Sequence, residues 1–303
     1  MKKKKWIWLA VLCLLLALAA GAGIYFYPVW RWAKILTAHV DSARFTYELE
    51  IALDKEALEP EQEKLVEVLA KVTGYEVQAL CHFTVGGSVW EDTIHMLFYP
   101  ENSLEPIFEL YIKDDTCVVN EAMFLNVIRN NLVGESGILN HLIPSQKENV
   151  YMTMEQIEQL LDMDLSSVCN IGHPFADKKF SAGQYFAAMA LMSRTRQGDG
   201  ELFEAVGEQG MVRLEGKGKD SLASMKIVFS IQDPGVVPPE IEALLSRIGT
   251  RLPVEKLRML KAISGSIMLG EGSELSMPTN YIDQDIIDLL SGILGLTLRR
   301  EGN

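Results

Sequence analysis

Apolar and polar residues alternate from Phe45 to Asp54, with Phe45, Tyr47, Leu49, Ile51 and Leu53 on one side. A period of two over this length predicts a long antiparallel strand with one buried face. The period then changes. Pro60 opens and Gly74 closes a stretch in which Leu65, Val68, Leu69 and Val72 fall on one helical stripe. Four strand-like runs follow. Ala79 to Val85 ends at Gly86-Gly87, which reads as a hairpin turn. Trp90 to Tyr99 is stopped by Pro100, Ile107 to Lys113 comes next, and Thr116 to Val119 follows an Asp114-Asp115 turn. Asn120 is placed to cap a helix whose core side is Phe124, Val127 and Ile128.

Two capping boxes come after this, Thr153-x-x-Gln156 before Ile157, Leu160 and Leu161, and Ser181-x-x-Gln184 before Tyr185, Phe186 and Met189. Residues 194–200 read as a polar loop. Met211 to Glu215 and Leu222 to Gln232 read as strands, and Pro238-Pro239 starts a helix bearing Ile241, Leu244, Leu245 and Ile248. Ile263 to Leu269 pairs with Glu274 to Met277 around Gly270-Glu271-Gly272, and Asp283 caps a closing helix. Strands grouped in blocks with helices between them predict an α+β fold with a mostly antiparallel sheet, in one domain over 45–303.

The first thirty residues have a different pattern. Lys2 to Lys5 form a basic tail (1–5) before an uncharged stretch from Trp6 to Trp30, flanked by aromatic residues at both ends. Trp6 to Tyr27 is roughly 33 Å as a helix, enough for a hydrocarbon core of ~30 Å. This predicts a transmembrane helix over 6–30, a signal anchor with a juxtamembrane segment at 31–44. The lysine bias implies a single-pass plasma-membrane protein with a cytoplasmic amino terminus and an extracytoplasmic bulk, with the membrane as partner. The rival readings are a cleaved signal ending at Ala17-Leu18-Ala19 or Ala20-Gly21-Ala22, and lipidation. Ile24 to Tyr27 continues the apolar run past those sites and Cys13 lies mid-segment, which favours retention.

Composition narrows the function. Beyond residue 30 the chain has 24 basic and 41 acidic groups, a net charge of −17, which repels phosphate backbones and argues against nucleic acid. The odd set Cys81, Cys117 and Cys169 cannot be fully paired, and a simple meander puts the first two three strands apart. GxSxG, SxxK, HExxH and EF-hand patterns are missing, so no catalytic residue, metal or cofactor is assigned. His82 and His95 could face each other across Gly86-Gly87. Asp283, Asp285 and Asp288 read as helix-end carboxylates, and Glu48, Glu50, Glu91 and Glu109 as the wet face of a sheet. Apolar bulk beyond what one core face requires marks Trp90, Ile94, Met96 and Phe98, with Phe186 and Met189 from the helix after Ser181, as the lining of an adaptable apolar cavity.

The alternating strand Phe45–Leu53, and the Leu275-Ser276-Met277-Pro278 strand leading into the Asp283 helix, give the chain an organisation that resembles the LolA/LppX-like envelope proteins. That resemblance implies a sheet curved into a half-barrel with helices in its mouth, holding acyl chains. The expected function is therefore a tethered module that binds an apolar or lipid-like ligand in a cavity of a few hundred Å3, without catalysis. The alternative is an interaction or scaffolding domain of the cell envelope with a protein partner and no pocket. An enzyme, with convergent titratable groups in a cleft, is the third reading.

Overall fold

The computed structural model describes residues 26–114, 116–128, 150–162, 180–218, 223–233, 238–248, 258–270 and 272–300. Helix α1 covers 26–42, and Ala43, at φ 46°, turns the chain directly into β1 (Arg44–Leu53). Then come α2 (Pro60–Thr73), α3 (Val77–Cys81), β2 (His82–Trp90), β3 (Thr93–Pro100), β4 (Phe108–Lys113), β5 (Thr116–Asn120) and α4 (Glu121–Ile128). The short strand β6 (Tyr151–Thr153) runs into α5 (Met154–Leu161), and α6 (Ala182–Met189) precedes the second β block. That block is β7 (Ser193–Gln197), β8 (Gly200–Val206), β9 (Gly210–Lys217) and β10 (Ser224–Gln232). Helix α7 (Pro239–Ile248), strand β11 (Leu260–Leu269) and helix α8 (Gln284–Arg300) complete the chain.

Among the described residues eleven strands form one antiparallel sheet, in the order β6-β5-β4-β3-β2-β1-β11-β10-β9-β8-β7. Two meanders meet at β1 and β11, so the fold is α+β, as the strand blocks predict. Among the described residues the edges β6 and β7 do not pair with each other.

One face of this sheet carries the core. A single buried cluster joins Ile112 of β4, Ile94 of β3, Val89 of β2 and Phe45 of β1 to Leu269, Met225, Leu214 and Phe203 of β11 to β8. Eight adjacent strands laid flat would span roughly 34 Å. One helix contributes four side chains to this cluster, and α6 and α7 add Ala188, Met189 and Leu244. The helix is α1, whose Val29, Trp32, Ala33 and Leu36 are at most 4% exposed in the middle of the cluster. A second cluster lies beyond it, where Ile157, Leu160 and Leu161 of α5 pack with Ile287 and Leu290 of α8, Met152 of β6, and Leu65 and Val68 of α2.

The position of α1 corrects the expected membrane anchor. The helix runs through the boundary expected at residue 30, its apolar side is taken up by the sheet, and Arg31, Lys34 and Asp41 interrupt the rest. Among the described residues no helix is long and apolar enough to cross a membrane. The transmembrane helix, the signal anchor and the single-pass plasma-membrane placement with an extracytoplasmic bulk are therefore not supported. Residues 6–25 of that expectation lie outside the described residues, as does Cys169.

Several local expectations change as well. Gly86-Gly87 is not a hairpin but lies inside β2. The turn falls at Glu91-Asp92, with Glu91 at φ 56°. Gly87 is needed where it stands, because a Cβ there would lie 3.0 Å from Tyr47 Oη and would collide with the His95 carbonyl. Ala79 to Cys81 is the end of a helix, and 193–197 is an edge strand rather than a loop. Residues 274–277 form no strand. The segment after Gly272 passes Phe45 and Val89 and reaches the far edge, where Tyr151 N–H donates to the Asn280 carbonyl and Ile282 N–H to the Tyr151 carbonyl.

Candidate functional site

Strand alternation puts residues 45, 47, 49 and 51 of β1 on the inner face, and the register extends each into a row across the sheet. The first two rows, through Phe45 and Tyr47, lie under α1. The next two are different. One runs Phe229, Gly265, Leu49, Val85, Phe98, and the other Ile231, Ile263, Ile51, Phe83. None of these side chains belongs to either core cluster, and all but Val85 are only half-buried. Gly265 thins the middle of the strip. A Cβ there would stand 2.9 Å from Leu49 Cδ2, so the leucine leans over the space that the glycine leaves. Phe83 and Phe98 stack at 5.6 Å at one end. The strip crosses five strands, ~19 Å, and carries no charged side chain.

The residues expected to line an apolar cavity separate into three places. Ile94 and Met189 are buried in the α1 cluster, and Met96 and Phe186 pack against it. Phe186 also meets the rings of Phe26 and Trp30 edge-on, each at 5.8 Å. Phe98 belongs to the half-buried strip. Trp90 stands on the outer face of β2, where the Arg44 guanidinium lies 4.1 Å above its ring. The turn at Glu91-Asp92 causes this: it breaks the parity that would have joined Trp90 to Ile94. With those positions packed around α1, the half-buried strip is the apolar inner surface that lies outside both core clusters.

The outer face of β3 to β6 carries a polar cluster. Glu109 Oε1 accepts from His95 Nε2 at 3.0 Å and from Tyr111 Oη at 3.4 Å, and Glu109 Oε2 accepts from Asn120 Nδ2 at 2.7 Å. These bonds, that from His95 first, hold the Glu109 carboxyl below its ordinary range although burial opposes them. Burial, and after it the Glu109 charge, push the Tyr111 hydroxyl up. His82 turns away to Glu101 at 3.1 Å, so His82 and His95 do not meet. Among the described residues no three His, Cys, Asp or Glu side chains are grouped to hold a metal ion. Glu109 is locked by three donors, so the cluster reads as a staple between strands.

A cleft of about 500 Å3 opens on the outer side of the sheet, at the end opposite α1. Its floor includes Ala52, Ala262, Gln232 and His82, the row one residue on from Ile51, Ile263, Ile231 and Phe83. Cys81, a free thiol 2% exposed, stands in its wall, raised in pKa by burial against the opposing charge of Lys55. Sequence reading missed this cleft because its residues come from four separate segments and carry no motif. The only available signal was strand parity, which puts Glu50, Ala52 and Ser264 on one face.

Comparison with known proteins adds no relative: no family model, no curated protein and no solved structure matches the chain.

Proposed function

We propose that this chain is a binding module that holds an apolar, acyl-chain-like ligand along the inner strip between its two core clusters. One observation carries the reading. Seven apolar side chains of two adjacent cross-strand rows, Phe98, Leu49 and Phe229 in one and Phe83, Ile51, Ile263 and Ile231 in the other, remain only half-buried on the inner face and belong to neither core cluster. Contiguous apolar surface left open in this way marks a binding groove more often than an accident of folding. Each buried methylene of a chain laid there contributes about 0.8 kcal/mol, so a long acyl chain needs no polar anchor to bind.

The test uses the full chain. Purified from cells and examined by native mass spectrometry, it should carry adducts of lipid-like mass that organic solvent removes. The stripped protein should take up the neutral probe N-phenyl-1-naphthylamine, and Leu49→Trp, which fills the space above Gly265, should weaken uptake by about tenfold or more. A chain with neither adduct nor probe uptake would overturn the reading.

A further inference from the structure

The strip and the outer cleft share one rim. Residue by residue, Ile51 looks inward and Ala52 outward, and the same holds for Ile263 and Ala262 and for Ile231 and Gln232. Leu53, which ends the apolar face of β1, is itself in the cleft wall. A chain lying on the strip and leaving it past Leu53 would place whatever it carries at its end in that cleft.

The cleft carries charges of both signs. Lys55 and Lys261 project into it and, among the described residues, neither has a carboxylate within ion-pair distance. Glu50, Asp54 and Glu56 line the same cleft. Glu50 accepts from Ser264 Oγ at 3.2 Å and Asp54 from the Glu56 backbone N–H at 3.1 Å, so each keeps acceptor capacity that its partner does not use. A head bearing only an anion would meet the three carboxylates, and a head bearing only a cation would meet the two ammonium groups.

We infer that the cleft receives the head of the ligand and that this head is zwitterionic, an anionic phosphate facing Lys55 and Lys261 with an ammonium facing Glu50, Asp54 and Glu56. This rests on the strip holding the apolar tail. It also makes the ligand an amphiphile of the phosphoethanolamine or phosphocholine class rather than a simple fatty acid or hydrocarbon.

Displacement of N-phenyl-1-naphthylamine from the stripped full chain tests it. Competitors share one acyl length and differ only in the head: a lysophosphatidylethanolamine, a fatty acid, an alkyl trimethylammonium and a neutral monoglyceride. The zwitterion should compete about tenfold better than either singly charged amphiphile. The exposed double substitution Lys55→Glu with Lys261→Glu should erase that preference while probe and monoglyceride binding stay unchanged. Probe uptake with no head preference, or a preference that survives the double substitution, overturns the inference and leaves the apolar reading intact. If the probe does not bind at all, the apolar reading fails. Nuclear magnetic resonance with glycerophosphoethanolamine then decides the cleft alone: shifts confined to His82, Ser264 and their neighbours support it, and their absence overturns it.

Discussion

The indole of Trp32 lies flat against the Cα of Gly216, so that a Cβ at that position would stand 2.6 Å from the ring atoms Cη2 and Cζ3. Trp32 is fully buried, its Nε1 has no hydrogen-bond partner among the described residues, and the Arg31 guanidinium lies 4.9 Å from the ring centroid, so shape, apolar contact and this cation–π contact hold the ring. Gly216→Ala should therefore destabilise the fold by about 1–3 kcal/mol through overpacking. In a Trp32→Leu background, where the ring is gone, the same change should matter far less, a coupling that a double-mutant cycle in urea reads directly. Additive effects of the two substitutions would mean that α1 does not sit where it is described.

Glu109 makes acid stability a local question. Its carboxyl is held low in the folded chain, so it binds its proton more readily once unfolded. The resulting stabilisation is complete above the unfolded value of about 4.3 and is lost as pH falls through the folded value. Glu109→Gln should be less stable than the parent at pH 7 by about 1–2 kcal/mol. The gap between the two should close as urea midpoints are followed from pH 6 to pH 3. A gap that stays constant across that range would assign the loss to packing instead.

Alkali tests the opposite sign. Burial pushes the Tyr47 hydroxyl well above its usual value and that of Tyr185 up to about 12, so the folded chain keeps both neutral after the unfolded chain has ionised them. That stabilisation is present below about pH 10 and is lost as pH rises through the folded values. Spectrophotometric titration should show these two tyrosines ionising late, together with unfolding. Tyr47→Phe removes the bond that Oη donates to the His95 carbonyl at 3.0 Å, and should lower stability near neutrality by about 1 kcal/mol.

The two capping boxes give separate, smaller effects. Thr153 and Ser181 each accept the backbone N–H of the residue three positions on, and the glutamine there returns the bond. Thr153→Ala and Ser181→Ala should each lower stability by about 1 kcal/mol, and the double variant should add the two effects, because the caps belong to different core clusters. Thermal or urea denaturation of the four proteins is sufficient to check this.

How much of this could be read from the sequence differs by feature. Caps and starts were plain: Pro60, Gly74, Thr153, Ser181 and Asp283 all stand at helix ends, because the chemistry there is local. So was the face of β1. Turns were harder. Gly86-Gly87 has the composition of a hairpin, yet the pair sits mid-strand because Tyr47 and the neighbouring carbonyl need the room, a requirement set by a strand 40 residues away. The 193–197 segment has no apolar residue to announce a strand, since an edge needs none. Of the apolar segment read as a membrane span over 6–30, Val29 is buried in the core cluster with Trp32 and Leu36 of the same helix, and residues 6–25 lie outside the described residues. Of the expected lining, Phe98 reached the strip and Trp90 did not, because one reversed parity at a tight turn sends a side chain to the opposite face.

The seam between β1 and β11 has a consequence for synthesis. Phe45 pairs with Leu269, so the central strand must wait for some 220 further residues before its second neighbour exists. Until then a ribosome-bound chain exposes a long, bare hydrogen-bonding edge in the middle of its future fold. Nucleation is accordingly slow, and the nascent product has an extended interval in which intermolecular pairing competes, so productive yield should rise when translation is slowed or holdase chaperones are abundant.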